Sequence, residues 1–138
     1  MLFSKKIAFI GAGNMGSALF GGLLKDELTK PENLIVTDVL ESRLKEAEEK
    51  WGIHTTMNNH EAVQFADVVV LCVKPQALKD VLAGIRDDLR EEQLIVSIVA
   101  GINTKMIGKF IGKANPIARV MTNIPALVDT AASGICLG

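Results

Sequence analysis

The sequence has few cysteines, no surplus of either charge and no long apolar run, and each of these shortages excludes a class of protein. Two cysteines among 138 residues are too few for a disulfide scaffold and favour a reducing compartment, so we expect a cytoplasmic protein. Fifteen basic residues against sixteen acidic ones leave a net charge of −1, which argues against a nucleic-acid or acidic-membrane partner. The longest apolar run, residues 68–73, is far shorter than the roughly 20 residues that span a bilayer.

The chain nevertheless has enough apolar sequence for a core. Hydrophobic residues make up 49% of it, which excludes a disordered tail. Lys5 and Lys6 precede only a short apolar stretch before Gly11, so the beginning of the sequence does not resemble a signal peptide. We expect one domain over residues 1–138, or a part of one larger protein.

Short β-branched runs alternate with segments of helical period along the whole chain. The predicted strands are residues 6–10, 34–37, 53–56, 67–73, 94–99 and 117–121. Helices are predicted from residue 14 to about 26, from 40 to 51, after a cap at Asn58, from Pro75, and from a cap at Thr104. This alternation predicts an α/β fold with a doubly wound, mainly parallel sheet and helices on both faces.

The most informative motif is a glycine-rich turn between the first strand and the first helix. It reads Gly11-Ala12-Gly13-Asn14-Met15-Gly16, and in this context it predicts a Rossmann-type site for a dinucleotide. Gly11 permits a tight turn, Gly13 lets the backbone approach a pyrophosphate, and Gly16 lets the helix pack close to the strand. Free amides at the start of the helix would hold the phosphates.

Asp38 ends the second strand, 22 residues beyond Gly16. An acid at about this distance accepts hydrogen bonds from the adenosine ribose and repels a 2′-phosphate, so NADH is favoured over NADPH. Arg43 weakens that inference, because a guanidinium nearby can pair with the phosphate. Capping of the next helix is the alternative role for Asp38, and the two roles are compatible.

The carboxyl ends of the other strands are expected to border the same crevice. Lys74 follows one of them and either neutralises a cofactor phosphate or is a solvated charge at a helix start. Ala100 and Gly101 follow another, where small residues allow a ligand to approach the backbone or simply form a turn.

Three other features favour ordinary structural roles. Cys72 lies among apolar strand residues and is expected to be an inert core thiol. His54 and His60 have no partners at metal-ligand spacing, so no metal site is predicted. The charged cluster at residues 86–90 is expected to be a solvated helix end.

Four segments resemble the pyrroline-5-carboxylate reductase family, and together they span nearly the whole chain. They are Ile10 to Gly16 (IGAGNMG), Asp67 to Gln76 (DVVVLCVKPQ), Ser97 to Ile102 (SIVAGI) and Arg119 to Ala126 (RVMTNIPA). The first is shared with hydroxyacid dehydrogenases, whereas the Val-Lys-Pro-Gln end and the last loop are more specific. The resemblance implies an oxidoreductase of proline biosynthesis that transfers a hydride from NADPH or NADH to the C=N bond of 1-pyrroline-5-carboxylate, giving L-proline.

The resemblance also implies roles for individual residues. The residues that would cradle the pyrophosphate are Ile10, Gly11, Ala12, Gly13, Asn14 and Met15. Asn59 matches an asparagine that contacts the adenosine part of the cofactor. The backbone positions near its ribose and nicotinamide are Val73, Lys74, Pro75, Ala100 and Gly101. Asn123 matches a residue beside the nicotinamide, and Met121, Asn123 and Pro125 border the substrate pocket.

Two departures and one absence qualify the resemblance. Ile124 stands where the family usually has threonine, and Val39 stands where many relatives have an arginine able to meet a 2′-phosphate. Family members are about twice as long, so we expect this chain to be a truncated dinucleotide-binding domain that lacks the helical C-terminal domain. The proton-donating hydroxyl and the contacts of a homodimer or larger homo-oligomer are expected in that missing part, and no residue here is assigned as catalytic.

Two other functions fit the pattern less well. A β-hydroxyacid dehydrogenase relative would share Gly-x-Gly-x-Met-Gly, but the loop from Arg119 to Ala126 fits it poorly. A non-catalytic dinucleotide-binding regulatory module is supported only by Ile124 and the truncation.

Overall fold

The computed structural model describes residues 5–121 and 134–137, which form a seven-stranded sheet with helices on both faces. The strands are β1 (Ile7–Ile10), β2 (Leu34–Thr37), β3 (His54–Thr56), β4 (Val68–Leu71), β5 (Leu94–Ser97), β6 (Ile117–Met121) and β7 (Gly134–Leu137). The helices are α1 (Asn14–Lys25), α2 (Glu41–Trp51), α3 (Asn59–Phe65), α4 (Pro75–Ile85) and α5 (Thr104–Ile111). Short 3₁₀ turns occupy Pro31–Asn33 and Arg86–Asp88.

The strand order is β3-β2-β1-β4-β5-β6-β7, and the first six strands are parallel. The order reverses next to β1, because the chain adds β2 and β3 on one side and β4, β5 and β6 on the other. The predicted doubly wound α/β fold is therefore confirmed. At this point of reversal a crevice opens beyond the carboxyl ends of the strands.

The two faces of the sheet are covered by different helices, and the alternation of strand side chains decides which residues meet which helix. Ile7 and Phe9 of β1 pack in one core cluster with Phe20 of α1 and Leu44 of α2. Ala8 and Ile10 belong to the opposite cluster. That cluster contains Val63 of α3, Leu78, Leu82 and Ile85 of α4, and Ile107 and Ile111 of α5. Because β1 is buried on both sides, its sequence is continuously apolar rather than alternating.

The structure differs from the prediction at several element ends. β4 and β5 stop before the last apolar residues of their segments, which belong instead to the loops at the carboxyl edge. α5 is capped by Asn103, whose side chain accepts a hydrogen bond from the backbone N–H of Met106 at 2.9 Å, and not by Thr104. An asparagine directly before a threonine offers two adjacent caps, and the sequence does not decide between them.

β7 is the element that was not predicted. It pairs antiparallel with β6, and Ala118 lies opposite Leu137 in the register. No helix in residues 5–121 is long and apolar enough to cross a membrane.

Candidate functional site

The loops that follow four parallel strands meet at one edge of the sheet. Backbone hydrogen bonds join them: the N–H of Gly11 donates to Thr37 (2.9 Å), that of Cys72 to Ile10 (2.9 Å), and that of Ile98 to Leu71 (3.1 Å). In each case, a loop residue that follows one strand donates to the carbonyl oxygen of the last residue of the neighbouring strand. The predicted site segments after β1, β2, β4 and β5 are brought together as expected for carboxyl ends of parallel strands.

The glycine-rich turn has the geometry that its sequence predicts. Gly11 has a φ of +110°, a conformation that residues with a side chain rarely adopt, and a Cβ there would lie 2.9 Å from the carbonyl oxygen of Cys72. A Cβ on Gly16 would lie 2.7 Å from the carbonyl oxygen of Gly11 and 3.3 Å from the Cβ of Cys72. Glycine at both positions lets α1 start directly against β1 and β4.

The outer side of this turn can receive an anion. α1 begins at Asn14 without a side-chain cap, and no acidic residue lies in its first turn. The Arg43 guanidinium lies above Gly13, and its Nη1 would be 3.4 Å from a Cβ built there. A helix N-terminus with uncapped amides and a neighbouring cation is the arrangement that binds phosphate in dinucleotide sites.

Asp38 lies beside the glycine-rich turn and not in open solvent. Its Oδ2 accepts a hydrogen bond from the backbone N–H of Ala12 at 2.8 Å, and its Oδ1 accepts one from Leu40 at 2.9 Å. Arg43 Nη1 stands 3.7 Å from Oδ2. The Asp38 side chain is 6% exposed and that of Arg43 is 45% exposed, so the cation is the more accessible charge at this corner.

Asn59 lies at the start of α3, at the mouth of a cavity of about 350 Å³ between α3 and α4. The cavity is lined by Met57, Asn58, Asn59 and His60 on one side and by Asp80, Val81, Gly84 and Ile85 of α4 on the other. Asn58 caps α3 by accepting a hydrogen bond from the His60 N–H at 3.0 Å, which leaves Asn59 without a capping role. The α4 residues of this cavity were not predicted, because only the tertiary structure places them opposite α3.

The remaining predicted backbone positions border the same edge. Lys74 precedes α4 as its N-cap residue and is exposed, and Pro75 occupies the first turn, where its missing N–H is not needed. Ala100 and Gly101 follow β5 and are exposed. Gly101 has a φ of +77°, so the turn alone explains this glycine.

Some predicted residues fall outside what the structure describes. Asn123 and Pro125 lie among the residues that are not described. The backbone of Met121 ends β6, and that of Asn14 begins α1.

Burial raises the pKa of the Cys72 thiol, which keeps it protonated and unreactive, as its apolar neighbours predict.

Fold and site together define a Rossmann-type domain of the oxidoreductase class. The chain belongs to the family described as NADP oxidoreductase, coenzyme F420-dependent, which matches residues 6–101. Within this class, its sequence is similar to those of pyrroline-5-carboxylate reductases. The enzyme of that name from Methanosarcina acetivorans is 41% identical over 98% of this chain and 50% of its own length.

Solved structures agree with the sequence comparison. A pyrroline-5-carboxylate reductase from Coxiella burnetii superposes with a TM-score of 0.86 at 39% identity, over 91% of this chain and 46% of that one. The Plasmodium falciparum pyrroline carboxylate reductase, solved with NADP bound, gives 0.80 at 30% identity, over 93% and 46%. The resemblance inferred from the four motifs is confirmed. The chain spans about half the length of these relatives.

Proposed function

We propose that this chain is the coenzyme-binding part of a pyrroline-5-carboxylate reductase, which reduces the C=N bond of 1-pyrroline-5-carboxylate to give L-proline. The observation that carries the proposal is the glycine-rich turn at the point where the strand order reverses, with Gly11 and Gly16 in contacts that admit no side chain. The assignment of this substrate is supported by the names of the relatives. When bound, the reduced nicotinamide supplies the hydride for the C=N carbon.

The residues of this chain fit the coenzyme from its pyrophosphate to its adenosine. The amides at the start of α1 and the backbone from Ile10 to Met15 hold the pyrophosphate, and Asp38 faces the adenosine ribose. The cavity beside Asn59 receives the adenine, whose flat apolar faces suit Met57 and Val81. The backbone of Val73, Lys74, Pro75, Ala100 and Gly101 borders the path toward the nicotinamide.

The part of the site that this chain supplies orients the coenzyme and excludes water from one of its sides. The family resemblance assigns Asn123 to the nicotinamide and Met121 and Pro125 to the edge of the substrate pocket. The catalytic hydroxyl, the homo-oligomer contacts and the rest of the substrate pocket belong to the second half found in the relatives. A cytoplasmic location, favoured by the cysteine content, is part of the proposal.

For coenzyme choice, we infer that NADH binds more tightly than NADPH. Asp38 is held against the loop by Ala12 and Leu40, so its negative charge cannot turn away from a 2′-phosphate. The exposed Arg43 reduces this repulsion by offering a guanidinium to the phosphate. NADPH is therefore disfavoured but still accepted.

Calorimetric titration of this chain with NADH and with NADPH in one buffer tests the proposal. Saturable binding of NADH, weakened in Asp38→Ala, supports the site. A folded chain that binds neither coenzyme contradicts coenzyme binding by this half. Turnover of 1-pyrroline-5-carboxylate by a protein that joins this chain to the second half would exclude a non-catalytic regulatory module.

A further inference from the structure

Asp88 connects α3 to the segment that follows α4. Its Oδ2 is paired with His60 Nδ1, and its Oδ1 accepts a hydrogen bond from Gln64 Nε2 at 3.3 Å. Since an ionised carboxylate only accepts hydrogen bonds, His60 must carry a proton on Nδ1. His60 and Gln64 are four residues apart, so they lie on the same side of α3. One carboxylate therefore holds two successive turns of the helix.

The neighbouring contacts hold the opposite end of α3. Gln93 Nε2 donates to the carbonyl oxygens of Val63 (2.9 Å) and Ala66 (2.7 Å), and Arg90 Nη2 donates to that of Ala66 (2.9 Å). These bonds secure the C-terminal end, far from the carboxyl edge of the sheet. Asp88 reaches the N-terminal half through His60, which directly follows Asn59.

The start of α3 depends on such contacts because the helix is short. Seven residues form too few hydrogen bonds for a helix to be stable or fixed in place by itself. Ala62 and Val63 bury the inner side of α3 in the core. Toward α4, however, the cavity of about 350 Å³ separates the two helices at this end. The link from Asp88 to His60 joins the turn that follows α4 to the start of α3, beside this cavity.

We propose that Asp88 is a positioning residue for the adenosine side of the coenzyme site, acting through His60 on α3 and so on Asn59 and the width of the cavity. The inference rests on the proposed coenzyme binding. Asp88 itself contacts no coenzyme in this proposal, but it determines how well the cavity fits the adenine.

The test compares the binding of ADP-ribose, which has the adenosine side without the nicotinamide, to four forms of this chain. Asp88→Ala removes the link, whereas Asp88→Asn keeps an oxygen that can accept from His60. Asp87→Ala is the matched control, because Asp87 carries the same charge on the adjacent, exposed position. We expect Asp88→Ala to weaken ADP-ribose binding about fivefold to tenfold, and the other two to stay within about twofold of the unaltered chain.

A double-substitution cycle shows whether Asp88 acts through His60. His60→Ala should weaken ADP-ribose binding at least as much as Asp88→Ala, because His60 also lines the cavity. The double variant should bind no more weakly than His60→Ala alone, because the link is already absent there. If Asp88→Ala does not fold, His60→Ala against His60→Gln gives the same comparison, since glutamine can still donate to Asp88.

The outcomes separate this inference from the proposed function. If the unaltered chain does not bind ADP-ribose, coenzyme binding by this half fails, and the inference fails with it. If the unaltered chain binds but Asp88→Ala binds equally well, only the inference is overturned. Failure of Asp88→Asn to restore binding, or losses that add in the double variant, would also overturn it.

Discussion

The carboxylate of Asp38 accepts a hydrogen bond from the backbone N–H of Ala12, 26 residues earlier in the chain, at 2.8 Å. This bond joins the loop after β2 to the glycine-rich turn after β1. Asp38 thus has a structural role before any ligand binds, in addition to its proposed contact with a ribose. Removing Asp38 would change both the charge beside the glycine-rich turn and the hydrogen bond that supports this turn.

The corner formed by Asp38 and Arg43 predicts how coenzyme preference responds to substitution. Arg43→Ala should weaken NADPH binding by about tenfold and NADH binding by clearly less, because the guanidinium lies above Gly13 for both coenzymes but can pair with a 2′-phosphate only in NADPH. Calorimetric dissociation constants for both coenzymes measure this split. Lys45→Ala on the exposed side of α2 is the control for loss of a positive charge. Equal losses for both coenzymes would contradict the assignment.

Gly16→Ala should disrupt the glycine-rich turn. The new methyl would lie 2.7 Å from the backbone oxygen of Gly11, and neither backbone can move without separating α1 from the sheet. We expect a loss of about 2 kcal/mol or more in the free energy of unfolding, together with loss of NADH binding. Denaturant unfolding and calorimetry measure the two effects.

Gly108→Ala is the matched control for that substitution. A Cβ there meets the Ile117 Cδ1 at 3.5 Å, which is ordinary contact, and the residue lies within α5. Alanine should be neutral or stabilise by up to about 1 kcal/mol. If Gly16→Ala behaves like this control, the close packing of α1 is not what requires glycine.

Gln93 is expected to be the most sensitive polar residue away from the site. It is 1% exposed, donates to Val63 and Ala66, and accepts from the Arg90 N–H at 2.7 Å. Gln93→Leu takes the acceptor from the Arg90 N–H and one of two donors from each of the Val63 and Ala66 carbonyl oxygens, and should lower the free energy of unfolding by about 1–3 kcal/mol. The same change at the exposed Gln76 should alter it by less than about 0.5 kcal/mol. A small effect at Gln93, measured in urea, would mean that water replaces the lost bonds.

Asp88 predicts part of the acid sensitivity of the fold. The hydrogen bond from His60 lowers the pKa of Asp88, Gln64 and Lys113 act in the same direction, and burial opposes them. Because the folded-state pKa lies below that of the unfolded chain, ionised Asp88 stabilises the fold above about pH 4. This contribution is lost as the pH falls through the folded-state pKa. The melting temperature of Asp88→Asn should therefore fall less steeply than that of the unaltered chain below pH 4, and equal slopes for the two proteins would contradict this role of Asp88.

Local patterns in the sequence were sufficient to predict the fold and the tight geometry of the glycine-rich turn. Apolar runs as short as Ile7–Ile10 indicate strands buried on both faces, and alternation with helices leaves few topologies other than a doubly wound sheet. The glycines at 11 and 16 are informative for the same reason, since their constraints come from the immediate strand-turn-helix path. Strands, helices and tight turns depend mainly on residues that are close together in the chain, so the local sequence pattern indicates them.

Only the tertiary structure decided which distant groups meet. The charged cluster at residues 86–90 was expected to be a solvated helix end, but Asp88 and Arg90 bind α3. β7 was missed because its pairing with β6 is a long-range contact that no local period of the sequence records. Hydrogen bonds between residues 24 or more positions apart leave no period in the sequence. They arise when the sheet brings its loops together, which is why the glycine-rich turn could be predicted from the sequence and the support of α3 could not.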